Sequence, residues 1–402
     1  VTELNQTDEH VEVILAGPVG QSQAVRAEYV VGCDGPRSVI RAQIGSAYEG
    51  ENALKPNFGM VFRAPSLLGA IPHGRAVHYW VLNPAAPVVM GPLDLDGTWW
   101  LIALGVERAE GERHGREIIE AAVGGPVDPV ISSTDPWTAR MQLVDRARCG
   151  RVFLAGDAAH LNPPWGGHGL NTGIGDAVDL GWKLAATLQG WGGRDLLASY
   201  EQERRPIHRA VIDAAARNMS VLPTELLEAD LDADGPAGDQ ARQRLSARIQ
   251  ATKDSEFHAL DLVLGASYDE SPLVLTGGGR LKHARVGNTS IYDLLGPGFS
   301  LLEIGPDLDT DPRAVDHTDA LDALADWCRS KLFPLSRVDL RHAGLRQHYA
   351  ASYVLVRPDQ HVAWSGDRLG DPVGDLLDLA RGEPLSKPRP IDLHLAGALH
   401  RD

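Results

Sequence analysis

Short apolar runs broken by Pro and Gly fill the first third of the chain, and longer helical periods fill the middle. Residues 11–15 form the first strand-like run, Gly17-Pro18-Val19-Gly20 signals a turn, and residues 27–31 read as a second strand with a buried end. From 51 to 140, β-like runs recur at 60–62, 77–82, 88–90 and 99–104, the pattern of an antiparallel sheet. Residues 151–155 predict one buried strand. Helical sequence follows over 173–188, 196–218 and 240–249, with the acidic, Gly-containing stretch 228–239 as an exposed loop. Beyond about residue 275 the pattern is that of a small α/β domain, with strands at 299–302 and 352–356 and helices at 317–331 and 374–380. No internal repeat or low-complexity tract is present. The chain thus divides into 1–50, 51–140, 141–270 and 275–402.

Composition narrows the function class. A chain of 402 residues has room for two or three domains. Its formal net charge of −16 argues against nucleic acid and against anionic lipid, both of which select a basic face. No apolar run approaches the ~20 residues that a membrane helix needs, and no basic segment followed by an apolar one opens the chain. Cys33, Cys149 and Cys328 lie far apart without a CxxC pair, so neither a disulfide framework nor a metal site is expected. Thiols in a reducing cytoplasm are the plain expectation.

Two constellations carry candidate chemistry. In the first, a strand ends in Gly32-Cys33-Asp34-Gly35 and a helix opens near Pro36 and Ser38. Ligands dock at strand C-termini in α/β sheets. Asp34 can accept from hydroxyls, and Gly35 permits close backbone approach. A strand-to-helix turn with Asp34 as the helix cap explains the same residues, and taken alone that plainer reading is preferred. The second constellation is longer: a buried strand, Gly156-Asp157-Ala158-Ala159-His160, the Pro163-Pro164-Trp165 corner, Gly166, Gly167 and Gly169, then a long helix. The glycines clear room for a flat ring against backbone. The N–H groups near Leu170 and Asn171 are orphan donors at a helix start and favour an anion.

Both constellations resemble the paired Asp-Gly and Gly-Asp motifs of the class A flavoprotein monooxygenases, the para-hydroxybenzoate hydroxylase superfamily. The likeness continues through Asp176-Ala177-Val178-Asp179-Leu180-Gly181 and Tyr200-Glu201-Gln202-Glu203-Arg204-Arg205-Pro206. Farther on, Ile291-Tyr292-Asp293-Leu294-Leu295-Gly296-Pro297-Gly298 and Arg357-Pro358-Asp359-Gln360-His361 resemble the thioredoxin-like domain of the phenol and polyketide hydroxylase branch. The fold this implies is α/β. It has a glutathione-reductase-like FAD-binding domain split over 1–50 and 141–270, an inserted antiparallel β-sheet substrate domain over 51–140, and a thioredoxin-like domain over 275–402.

The resemblance implies roles for particular residues. Asp157 would meet the ribityl chain of FAD and Pro164 would lie near the reactive edge of the ring, with Gly156 and Gly167 also among the cofactor-binding residues. Gly169, Leu170 and Asn171 would face the ring's pyrimidine end, and Asp34 with Gly35 the pyrophosphate–ribityl region. Arg37 and Arg41 would lie nearby or make surface salt bridges, with equal weight. Trp165 is the leading candidate for contact with an aromatic substrate, followed by Tyr79, Trp80 and Trp99. Strand alternation allows at most one of Tyr79 and Trp80, and one of Trp99 and Trp100, to line a cavity on one sheet face. No catalytic base is assigned.

The implied reaction uses NAD(P)H to reduce FAD, O₂ captured as a flavin C4a-hydroperoxide, and oxygen transfer to a phenolic or polyketide ring. An epoxidase or oxidase of the same fold, or a fragment unable to hold FAD, are the alternatives. The oligomeric state, a homo-oligomer included, stays open. The chain departs from the family at His168, where Gln is frequent, and at Asp179, where Asn is frequent. Its C-terminal domain carries Cys328 without CxxC, so no thioredoxin redox activity is expected. The family's opening strand–GxGxxG–helix has no counterpart near Val1, and Gly277-Gly278-Gly279 reads as a loop, so an N-terminally truncated FAD domain is expected.

Overall fold

A computed structural model describes residues 1–71, 74–219, 226–305, 318–369 and 373–385. The chain forms two compact units, Val1–Asn171 with Arg209–Ala259, and Thr172–His208 with Leu260–Asp402. Residues 172–208 therefore group with the C-terminal unit.

The first unit opens with an antiparallel meander of β1 (Glu3–Gln6), β2 (Val11–Ala16) and β3 (Ser22–Ala27). The single strand expected over 27–31 is instead two. β3 ends at Ala27, and β4 (Val30–Gly32) lies in a different sheet. β3 is exposed along most of its length, so the apolar signal of Val30 and Val31 belonged to β4 alone. Helix α1 (Val39–Gln43) and β5 (Tyr48–Glu51) follow.

Next come β6 (Pro56–Arg63), the single turn α2 (Leu67–Ala70), β7 (Tyr79–Val81), β8 (Val88–Pro92), β9 (Thr98–Leu104), α3 (Arg108–Val123) and β10 (Val130–Thr138). The five strands pair antiparallel in the order β10-β6-β9-β8-β7. Alternation gives this sheet two faces. Phe58, Met60, Phe62, Val88, Met90, Trp99 and Leu101 form one buried core with Ile119 of α3. Val89, Trp100 and Ile102 point to the other side, towards Trp165.

Helix α3 was not anticipated from the pattern. Two of its four buried positions are glycines, Gly111 and Gly115, beside Ile119 and Ala122. A Cβ on Gly111 would stand 2.2 Å from Phe58 Cγ, so the helix lies on β6 only because that position has no side chain. Glycine carries no periodic apolar signal, which hides the helix from a hydrophobicity scan.

The first unit continues with β11 (Met141–Val144), β12 (Arg148–Cys149), β13 (Val152–Leu154) and β14 (His160–Leu161). β13 pairs with β4 in parallel, Val30 opposite Val152 and Gly32 opposite Leu154. Three long helices follow: α4 (His168–Leu188), α5 (Ser199–Met219) and α6 (Pro236–Phe257). α4 starts at His168 rather than 173, its first turn concealed by glycines. α6 starts at Pro236 inside the stretch expected to be a loop and runs past 249 to Phe257. Pro236 suits a first helical turn, because it needs no N–H partner there.

In the second unit, α7 (Leu260–Val263) and the small hairpin of β15 (Arg285–Val286) and β16 (Thr289–Ser290) precede a mixed sheet. That sheet contains β17 (Phe299–Glu303), β18 (Leu335–Asp339), β19 (Tyr353–Val356) and β20 (Val362–Gly366), in the order β18-β17-β19-β20. β17 and β18 are parallel, and the other pairs antiparallel. α8 (Thr318–Lys331), the short α9 (Arg346–Tyr349) and α10 (Val373–Ala380) complete the unit. His317, expected to begin a helix, lies outside the described residues. Phe299, Leu301 and Leu355 pack with Leu324, Leu377 and Trp191 on one side of the sheet, and Leu302, Val354 and Val356 with Leu281 and Ile291 on the other. Among the described residues no helix is long and apolar enough to cross a membrane.

Candidate functional site

The parallel pairing of β4 with β13 brings the two sequence constellations side by side, because both strands end at the same edge. The two acids there have different surroundings. Asp34 accepts from Ser38 Oγ at 2.5 Å and from the backbone N–H groups of Val39 at 2.7 Å and Ile40 at 3.2 Å. Burial pushes its pKa up, but these donors outweigh burial and hold it below the usual carboxylate value. Asp34 thus holds two backbone donors of the first turn of α1, while the N-cap itself is Ser38, whose Oγ accepts from the Arg41 N–H at 2.9 Å. Asp157 is exposed, and its carboxylate has no hydrogen bond among the described residues. Only its backbone carbonyl is engaged, accepting from the hydroxyl of Tyr48.

Tyr48 and Arg41 tie the two loops together. The Arg41 guanidinium lies 3.8 Å from the centre of the Tyr48 ring. It donates to the carbonyl oxygens of Pro36 at 3.0 Å and Ala158 at 3.3 Å, one in each loop. Burial, chiefly, pushes the Tyr48 phenol up to about 12, with Asp157 adding to it and Arg41 opposing. Arg41 therefore serves the junction of the two loops, while Arg37 lines a cleft beside it.

The Pro163-Pro164 corner turns the chain into α4. Gly166 has φ +92, and a Cβ there would come within 2.6 Å of His168 Nε2, so the turn requires glycine on both counts. The Asn171 side-chain amide donates to the carbonyl of Gly167 at 2.9 Å. Gly169, Leu170 and Asn171 fall in the first turn of α4, where backbone N–H groups lack helical partners. Leu170 is 79% exposed at that turn. His168 is buried, and burial lowers its pKa, which favours the neutral imidazole. Gly35 and Gly167 both face open space, as a surface approached by a ligand would.

Two cavities meet at this corner. A cleft of about 520 Å³ is lined by Pro36, Arg37, Thr138, Arg140, Asn162 and Pro164 among others. A smaller pocket of about 300 Å³ is lined by His78, Trp80, Trp100, Trp165, Glu256 and Phe257 among others. Pro164 and Ile102 line both, so the two spaces share a wall. Trp80 and Trp165 reach the pocket, whereas Tyr79 and Trp99 do not. Alternation turns those two to the α3 side, where Trp99 is 1% exposed in the core and the Tyr79 hydroxyl donates to the carbonyl of Gly74 at 2.8 Å. Trp100 takes the place expected for Trp99.

His78, Glu256 and Phe257 were not foreseen. Two of them come from the end of α6, far along the chain, and no local spacing links them to the Gly-rich loop. Lys253 of α6 sits with its ammonium 3.8 Å from the centre of the Trp80 ring and donates to Glu256 at 2.8 Å.

The residues around the larger cleft fit a flat cofactor with acceptor atoms and a hydroxylated tail. Arg140 lines the cleft, and its buried Nε makes no hydrogen bond among the described residues. Asp157 offers a carboxylate, and the first turn of α4 offers N–H donors. The resemblance drawn from the sequence assigns groups of this kind to the ring end of FAD.

Comparison with known proteins places the chain among FAD-binding proteins. A family model described as FAD binding domain matches residues 1–215. The FAD-dependent monooxygenase opdD of Penicillium oxalicum is 30% identical over 414 residues, covering 92% of this chain and 77% of that protein. The 2,4-dichlorophenol 6-monooxygenase of Delftia acidovorans is 29% identical over 418 residues, covering 90% of this chain and 70% of that protein. Among solved structures, the rebeccamycin biosynthetic enzyme RebC with reduced flavin matches with a TM-score of 0.85 at 33% identity, covering 95% of this chain and 73% of that one.

Proposed function

The chain belongs to the class A FAD-dependent monooxygenases, with phenol and polyketide hydroxylases among its relatives, and on that premise we propose that it hydroxylates a phenolic or polyketide aromatic ring with NAD(P)H as reductant. The observation that carries this reading is the wall shared by the two cavities at Pro164 and Ile102. A ring in the smaller pocket would lie next to a cofactor in the larger cleft.

FAD, when bound, supplies the redox and oxygen-transfer chemistry. The protein's own residues bind, orient and exclude water. Asp157 would accept from ribityl hydroxyls, and Arg140 Nε would donate to an acceptor on the cofactor. The N–H groups of Leu170 and Asn171 would favour negative charge at the pyrimidine end of the ring. Trp80, Trp100, Trp165 and Phe257 offer flat apolar faces that hold an aromatic ring and displace water. At about 300 Å³ the pocket is at the small end of ligand sites, which span roughly 300–1,000 Å³, so it suits a compact ring system. We read residues 275–402 as thioredoxin-like on the mixed β18-β17-β19-β20 sheet flanked by α8 and α10. Burial pushes the Cys328 thiol up to about 11, which suits a structural rather than a redox cysteine.

The test is to incubate the chain with FAD, NADPH and 2,4-dichlorophenol, or a polycyclic phenol, under isotopically labelled O₂. Mass spectrometry should find one labelled oxygen in a hydroxylated product. NADPH consumption with no label in any organic product would point to an oxidase and overturn the hydroxylase assignment.

A further inference from the structure

His78 lies in the wall of the aromatic pocket with one nitrogen already committed. Trp80 Nε1 donates to His78 Nε2. An indole N–H can only donate, so Nε2 must be the unprotonated nitrogen and the ring proton must sit on Nδ1. That Nδ1–H has no hydrogen bond among the described residues. The imidazole stands among aromatic faces, its centre 6.2 Å from those of Trp80 and Trp100 and 6.3 Å from that of Phe257. Burial lowers its pKa, Lys253 adds to that effect and Glu256 opposes it, so the neutral ring is favoured. Lys253 and Glu256 are paired with each other at 2.8 Å.

We propose that His78 orients the substrate by donating from Nδ1 to an oxygen acceptor on the aromatic ring, either a carbonyl or a phenolate oxygen. This rests on the assignment of the pocket to the substrate and adds a selection rule to it. A polar donor in an apolar cavity costs little while water reaches it and more when a ligand displaces that water. A flat ring with an acceptor in the right place restores the bond, whereas a hydrocarbon of the same shape leaves the donor unpaired. The pocket therefore selects oxygenated aromatic rings over bare ones. Trp80 is a positioning residue in this scheme, because it sets which imidazole nitrogen carries the proton.

The experiment compares two flat bicyclic probes, chromone, which has a ring carbonyl, and naphthalene, which has none. Binding to the full chain is followed by quenching of tryptophan fluorescence. In His78→Phe, the preference for chromone over naphthalene should fall about tenfold, the worth of one hydrogen bond, while naphthalene affinity changes little. His78→Asn, which keeps a donor, should retain part of the preference. The infrared carbonyl stretch of bound chromone should shift down in the wild type and not in His78→Phe. An unchanged preference and an unchanged stretch in His78→Phe, with both probes still bound, would overturn the role of His78 alone. If neither probe binds the wild type, the pocket is not the substrate's, and both assignments fall.

Discussion

Asp34 and Asp157 end neighbouring strands, yet substituting them should affect different properties. The Asp34 carboxylate is consumed by the opening of α1, and that of Asp157 makes no hydrogen bond or ion pair among the described residues. Asp34→Ala should therefore lower thermal stability by about 0.5–2 kcal/mol, the usual cost of losing a side-chain acceptor at a helix start. Asp157→Ala should leave the melting curve in place and weaken FAD binding instead. Hydrogen bonds to a charged group are worth roughly 1.5–3 kcal/mol, or about 12- to 140-fold in affinity. Flavin fluorescence titration and thermal melts, run on both variants, separate the two roles. Equal flavin affinity in Asp157→Ala and wild type would remove Asp157 from the site.

At the scale of elements, Gly111 shows how a helix can be held by what it lacks. Alanine is the better helix former by about 1 kcal/mol. Here its Cβ would meet the Phe58 ring at 2.2 Å, and overpacking of this kind costs about 1–3 kcal/mol. Gly111→Ala should thus lower the denaturation midpoint despite the gain in helix propensity, and Phe58→Leu in the same chain should recover part of the loss. A midpoint raised by Gly111→Ala alone would mean that the α3–β6 contact is looser than the structure has it. The same residue explains which elements were legible in the sequence. β6 alternates large apolar side chains, β8 and β9 carry continuous apolar runs, and all three announced themselves, as the Gly-rich loop announced its own turn. α3, the first turn of α4 and the boundary between β3 and β4 are set by glycines or by a change of sheet, neither of which hydrophobic periodicity reports. The pocket was half legible for a related reason. Trp80 and Trp165 stand beside recognisable elements, but His78 and Glu256 meet only once α6 folds back, and alternation put Trp100, not Trp99, on the cavity side.

At the scale of the whole chain, the second unit is held together by charges buried where 172–208 meets the C-terminal sheet. Lys183 donates to Asp179 at 2.8 Å and to Glu203 at 2.5 Å, and Arg357 donates to Glu203 at 2.7 Å, Asp359 at 2.6 Å and Asp179 at 3.1 Å. Their side chains are 0–2% exposed. Arg204 is satisfied separately, by Asp176 at 2.8 Å, with Tyr268 beside it, and His361 Nδ1 lies 3.6 Å from Asp359. Three carboxylates thus share two strong cations, and the surplus negative charge is most easily relieved by a proton. Burial, above all, pushes Asp179 up to about 8, while the nearby cations hold Glu203 and Asp359 down. A carboxyl whose folded pKa is raised binds its proton more tightly in the folded chain than in the unfolded one. The stability it lends is full below the ordinary value of 3.8 and is lost progressively as pH rises to about 8. The slope cannot exceed about 1.4 kcal/mol per pH unit for one proton. Glu203 and Asp359 act in the opposite sense only in acid, below their unfolded values, so among the three carboxylates a window from about pH 5 to pH 8 isolates Asp179, while His78 and His168, lowered by burial, titrate alike in wild type and variant and cancel in the comparison. Asparagine keeps an acceptor for Lys183 or Arg357 and brings no charge. Asp179→Asn should therefore flatten the fall in urea stability between about pH 5 and pH 8 and leave the variant more stable than the wild type at the upper end. Parallel slopes in the two proteins would place the surplus proton elsewhere in the cluster.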